Sequence, residues 1–282
     1  MSNFSKSFQL VKQSFSVLKK DKEIMLFPII SAILTIVAFM SFMIPFFMTG
    51  LFRTISETLG GYSFWLIVFF YYILNYFIIT FLNVGLITCA NIRLGGGDPT
   101  FGDGFRNAAK NIGKIFIWAL ISATVGVILR MISDKQKTVG RIIAGIIGMA
   151  WNLLTFFVVP VMIFEKTSPT ESIKKSGELF KKTWGENAIA QFSMAGFFTL
   201  LNLGIFLVAF ALGIFAVVSL KSAIVTLAIF LLMVLVLIVL SIISSCLNGI
   251  FVVALYKYAN DGQIPSVYDS EIIQNAFKSK NF

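Results

Sequence analysis

Few residues in this chain have the types and spacing to do chemistry, and they lie close together. The stretch RLGGGDPTFGDGF, Arg93 to Phe105, sets three consecutive glycines before two aspartates in a chain that is otherwise mostly apolar. Glycine-rich turns at helix starts cradle phosphates, and clustered carboxylates hold divalent cations. This stretch has neither the lysine nor the spacing of a phosphate loop, and its glycines do not fit the dinucleotide pattern, which also needs a preceding strand. Asp98 and Asp103 stand five apart with no acidic ligand between them, which does not make a calcium loop. The residues therefore predict a corner. Gly95–Gly97 end one helix through left-handed conformations, Asp98 caps the next, Pro99 opens it, and Asp103 sits near its positive dipole end. Arg93 and Arg106 flank that start and are candidates for contact with a lipid headgroup or another anion.

The remaining inventory is sparse. The chain has no histidine, the commonest general base and metal ligand, and its two cysteines, Cys89 and Cys246, lie inside apolar runs. There is no Gly-x-Ser-x-Gly elbow and no pair of acids within a span, so no catalytic, cofactor-binding or metal-binding residue is assigned and the expectation is a protein that is not an enzyme. The polar residues of interest are instead three asparagines, Asn83, Asn152 and Asn248, each inside an apolar run. An amide is costly to leave facing acyl chains, so each should face a protein neighbour or water. They either bond neighbouring helices together or form a polar mid-membrane layer along a narrow path.

The elements that must position these residues follow from composition. Of 282 residues 57% are hydrophobic and only 13% charged, against roughly a quarter charged in soluble domains, and the mean hydropathy is +0.89. Uncharged runs cover 24–52, 58–92, 115–129, 142–164, 187–220 and 222–256. A bilayer core needs roughly 20 apolar helical residues. Five runs satisfy this; the third reaches it only by drawing in Lys114 and Arg130 as snorkelling ends, with a re-entrant helix as its alternative. Alternate segments from the N-terminus hold 5, 4, 5 and 3 bases and the loops between them 1, 4 and 1, which predicts both termini in the cytoplasm. The loop from Arg130 to Arg141 dissents. The net charge of +10 comes in clusters beside apolar runs, a pattern that suits anionic lipid surfaces and excludes nucleic acid as a partner.

Three corners share a pattern: Asp98-Pro99-Thr100, Ser168-Pro169-Thr170 and Ile264-Pro265-Ser266, with an asparagine 16 or 17 residues before each proline. Amphipathic segments accompany them. Phe4, Phe8, Val11, Phe15 and Leu18 share one face near the N-terminus, Phe101, Phe105, Ala108 and Ile112 recur after the first corner, and Ile173, Gly177, Phe180 and Trp184 after the second. The bases beside them, Lys6, Lys12, Lys19, Arg93, Arg106, Lys110, Lys174 and Lys181, are the expected headgroup contacts of interfacial helices. The chain thus reads as an all-α integral membrane domain over 1–282: six transmembrane helices in three pseudo-repeated pairs (3–92, 98–164 and 168–256), amphipathic helices on the cytoplasmic side, and a tail over 257–282.

The run from Leu10 to Ser31 and the Gly97-Asp98-Pro99-Thr100-Phe101 turn resemble an uncharacterised prokaryotic family of six-span membrane proteins. In layout only, the alternation of interfacial helix and span pair is similar to the membrane domain fused to some glycerophosphodiester phosphodiesterases. The resemblance implies a prokaryotic plasma membrane and no transferable activity. Expected partners are the bilayer and its anionic headgroups, with a protein partner or homo-oligomer as further expectations.

Overall fold

The computed structural model describes residues 3–48, 62–135, 137–184, 193–218 and 222–270, and all their regular structure is helical. α1 (Asn3–Lys20) leads through a single 3-10 turn (Lys22–Met25) into α2 (Leu26–Met48). α3 (Tyr62–Leu94), α4 (Phe101–Lys110) and α5 (Ile112–Lys135) follow. Next come α6 (Lys137–Leu154), α7 (Val158–Phe164), α8 (Pro169–Trp184), α9 (Ser193–Val218) and α10 (Ala223–Asp261). Among the described residues six segments are long and apolar enough to cross a membrane: Lys22–Pro45, Trp65–Leu94, Ile112–Asp134, Val139–Phe164, Phe198–Val217 and Ala223–Asp261. The chain is an all-helical membrane protein. The doubtful third run sits in a continuous helix of 24 residues, about 36 Å long, because Gly113, Lys114 and the residues from Arg130 onward join it.

The fourth span is broken where the sequence predicts continuity. α6 stops at Leu154 and α7 begins at Val158, with turns between. Pro160 supplies the cause: it has no N–H to give to Phe156, and its ring crowds that carbonyl, so the helix cannot run through. The break frees the Phe157 amide, which donates to Ser176 Oγ at 2.9 Å. A serine on α8 thus satisfies a group that lipid could not.

The core gathers at one end of the bundle, where α1, α4 and α8 form a collar. Ile24, Phe27, Leu86, Ile87, Phe157, Val161, Leu247, Ile250 and Val253 are all at most 2% exposed. Small residues let backbones meet there. A Cβ on Gly104 of α4 would lie 2.6 Å from the Gly85 carbonyl oxygen and 2.8 Å from Cys89 Sγ. α3 packs extensively on α5, whereas α2 and α10 make few contacts with each other; the Cys246 thiol of α10 reaches the Ile24 carbonyl in the turn before α2. Away from that contact both helices are exposed, at Val37 and Ile238 for example.

The collar helices divide their apolar residues between two directions. In α1, Leu10, Ser14, Val17 and Leu18 are buried against the bundle, while Phe8 and Phe15 are exposed; the single apolar face read from periodicity is really a packed face beside an exposed aromatic edge. α4 repeats the division, with Ala108 buried and Phe105 exposed, as is Ile112 at the start of α5. α8 turns Ser172, Ser176, Leu179 and Phe180 inward. The side chain of Lys6, residues 187–191 and the tail beyond Ser270 lie outside the described residues.

Candidate functional site

The glycine-rich corner is built as a joint. Gly96 takes φ +88°, a conformation that favours glycine, and Gly95, Gly96 and Gly97 return their amides to the last carbonyls of α3. The N-cap of α4 is Thr100, not Asp98. Its side chain accepts from the Asp103 amide at 3.2 Å, and its own amide and hydroxyl donate to Asp103 Oδ2 at 3.0 and 2.7 Å, completing a capping box. Helix start and cap therefore lie two residues later than Asp98-Pro99 suggests. Asp98 instead pairs with Arg93, whose guanidinium also holds the buried Asp21 at the end of α1. The Glu23 carboxylate accepts the Phe101 amide at 2.7 Å. Carboxylates of the chain itself thus occupy both the guanidinium and the first amide of α4.

The second corner matches expectation more closely. Ser168 and Glu171 form the same reciprocal cap, the Ser168 amide and hydroxyl donating at 3.0 and 2.8 Å, and Pro169 opens α8. These donors hold the Asp103 and Glu171 carboxyls below the usual carboxylate range, the Thr100 hydroxyl contributing most in the first case and the Ser168 amide in the second. Glu165 ties Lys175 to Tyr256 of α10, and Lys114 Nζ donates to the Lys166 carbonyl at 2.6 Å. At the third corner no helix starts at Pro265; Tyr268, buried, shares a 2.7 Å hydrogen bond with Ser14 of α1. All three corners are thereby fastened to neighbouring elements.

Around the collar Lys12, Lys19, Arg106, Lys110, Lys174 and Lys181 are exposed. Two groups of them stand beside exposed apolar side chains, Phe8 and Phe15 on α1, and Phe105 on α4 with Ile112 at the start of α5. Lys19 Nζ lies 5.3 Å from the centroid of the Phe15 ring.

The asparagines separate. Asn83 and Asn248 line one cavity of about 690 Å³ between α2, α3, α7 and α10. Asn152 is exposed on α6, just before the break that Pro160 imposes, and does not line that cavity. Sequence spacing missed the other polar walls. Ser31 and Thr35 stand one turn apart on α2, and Ser241, Ser245 and Asn248 follow one face of α10. Phe27 and Leu86 form the floor toward the collar core. The helix-period recurrence of small hydroxyls within apolar runs is the signal that was there to find. No Asp, Glu, Lys or Arg lines the cavity, and no group of three or more Cys, Asp or Glu is placed to hold a metal among the described residues.

No curated protein and no solved structure matches the chain. A family model does, over residues 62–266, from the start of α3 to the third corner. That stretch covers more than two thirds of the sequence and contains Asn83, Asn152 and Asn248 and the three corner prolines, so the chain belongs to DUF6159, a family of unknown function.

Proposed function

We propose that this protein is a non-enzymatic, membrane-organising protein of a prokaryotic plasma membrane, both termini in the cytoplasm, whose collar engages anionic lipid headgroups. The observation that carries this reading is the pairing of exposed bases with exposed apolar side chains on α1, on α4 and at the start of α5: Lys12 and Lys19 with Phe8 and Phe15, Arg106 and Lys110 with Phe105 and Ile112. Rings and aliphatic groups of this kind enter the acyl boundary while bases reach the headgroups. Each base near an anionic surface adds about 1 kcal/mol of attraction. Arg93 contributes less than sequence suggests, because Asp21 and Asp98 neutralise it.

The test is lipid retention by the whole protein in nanodiscs of mixed phosphatidylglycerol and phosphatidylcholine, read by native mass spectrometry. The wild type should retain phosphatidylglycerol preferentially, and replacing Lys12, Lys19, Arg106 and Lys110 by Gln should reduce the preference about threefold or more. Equal retention of both lipids by the wild type would sink the reading.

A second reading, a path for a small solute between the repeats, draws on the cavity shared by Asn83 and Asn248. As a path it requires the core of Phe27, Phe157 and Leu247 beneath the cavity to part. Solute flux into proteoliposomes, absent from an Asn83→Leu/Asn248→Leu variant, is its measurement.

A further inference from the structure

Five hydroxyl groups in the apolar helices turn back on their own backbone. Ser41 donates to the Ala38 carbonyl, Thr88 to Val84, Thr124 to Leu120, Thr155 to Trp151 and Thr226 to Ser222, at 2.7 to 3.0 Å. The cavity between α2, α3, α7 and α10 gathers hydroxyls that do not. Ser31, Thr35, Ser241 and Ser245, with the amides of Asn83 and Asn248, all line it and make no hydrogen bond to protein among the described residues. Six side chains thus hold unspent donors and acceptors at membrane depth, where an unmade hydrogen bond is costly. Their occupant must bring hydrogen-bonding groups of its own.

Three features define that occupant. The lining has no charged residue, so a phosphate or an ammonium group would enter without a counter-charge; the head is neutral. The polar side chains from Ser241 to Asn248 span seven residues of α10, about 10 Å along its axis, enough for a short polyol. The floor is shut by Phe27 and Leu86, while Ile36 and Ile79 on the walls are exposed and α2 and α10 make few contacts with each other. The mouth therefore opens sideways among acyl chains. A volume of about 690 Å³ lies within the range of ligand sites.

We infer that this cavity binds the uncharged, hydroxyl-bearing head of a membrane lipid, diacylglycerol being the simplest of the class, which enters laterally and leaves its chains in the bilayer. Asn83 and Asn248 serve both as donors and as acceptors to its hydroxyl and ester oxygens, and the four hydroxyl side chains complete the shell. The site stands independently of headgroup binding by the collar.

The test uses the full-length protein in nanodiscs with a diazirine-bearing diacylglycerol, labelled peptides being located by mass spectrometry. Label should fall on peptides containing residues 79–87 or 241–252, and unlabelled dioleoylglycerol should compete while phosphatidate with the same chains and free glycerol should not. Asn83→Leu/Asn248→Leu should reduce labelling about tenfold, as expected for losing several hydrogen bonds, and Asn152→Leu should leave it unchanged. Ser241→Ala/Ser245→Ala, a smaller change, should reduce it severalfold and decides the matter if the amide variant is not monodisperse. Label outside the cavity, equal competition by phosphatidate, displacement by glycerol alone, or labelling indifferent to both variants would each overturn the assignment. Phosphatidylglycerol retention by the collar should be unaffected by these variants, which keeps the two results separable.

Discussion

At the collar end of the bundle an added methyl group has nowhere to go: a Cβ on Gly85 would meet Phe27 Cε1 at 2.2 Å, and one on Gly249 would meet Leu86 Cδ2 at the same distance. Toward the opposite end, Gly145 and Gly213 have nothing within 4 Å of such an atom, and Phe210, Ile214, Phe230 and Leu235 are at least half exposed on α9 and α10. Ion pairs divide the same way. Arg93, Asp21 and Asp98 meet at the collar, whereas the Arg130 to Asp134 pair at the far end of α5 joins two side chains of one helix, both well exposed. The contrast teaches where specificity resides. In lipid, apolar side chains gain little by choosing a neighbour over an acyl chain, so close backbone contact and polar joints must define the fold. Both are concentrated beside the collar.

Breaking the joint tests this contrast most severely. Arg93→Ala strands the buried Asp21 carboxylate and should cost about 3 kcal/mol, read as loss of resistance to denaturation in detergent; Arg130→Ala should cost less than about 0.5 kcal/mol. Overpacking comes next. Gly104→Ala should cost about 2 kcal/mol because backbone must move, while Gly213→Ala should be neutral or stabilise by up to about 1 kcal/mol through helix propensity. Ser176→Ala, which removes the hydroxyl that accepts from the Phe157 amide, should cost about 1 kcal/mol; hydrogen exchange at Phe157 should rise if the break in the fourth span depends on that bond. The smallest effect concerns the capping boxes. Asp103 and Glu171 are held below their ordinary values of 3.8 and 4.5, so their contribution is present at neutral pH and is lost as pH falls through the lowered values. Asp103→Asn and Glu171→Gln should each flatten part of the acid limb of a melting-temperature profile. An unchanged limb would show that the caps add nothing.

Six membrane-length segments were legible because each requires only a long uncharged run, and the three corners because proline and small polar residues punctuate them. The common setting of the asparagines was not. Their spacing from each proline treats the helices as unbroken, and Pro160 invalidates that assumption for Asn152 alone by interrupting the helix between the two residues. The cap at Thr100 was legible in principle: Thr100 with Asp103 and Ser168 with Glu171 share the pattern of hydroxyl and acid three apart, but an aspartate before a proline drew the reading two residues early. The two directions served by α1 could not be read from its periodicity. Whether Phe8 and Phe15 or Leu10 and Val17 face inward depends on α9 and α10, which lie some 200 residues away.

That separation has a consequence for how the protein is made. Ser14 and its partner Tyr268 are 254 positions apart in the chain, and the inward face of α1 packs on α9 and α10. At roughly 5–20 residues per second of synthesis, α1 leaves the ribosome about 13–50 s before the groups that will receive it. The first helix to emerge is among the last to be placed, and in that interval its amphipathic character gives it somewhere to wait, on the membrane surface.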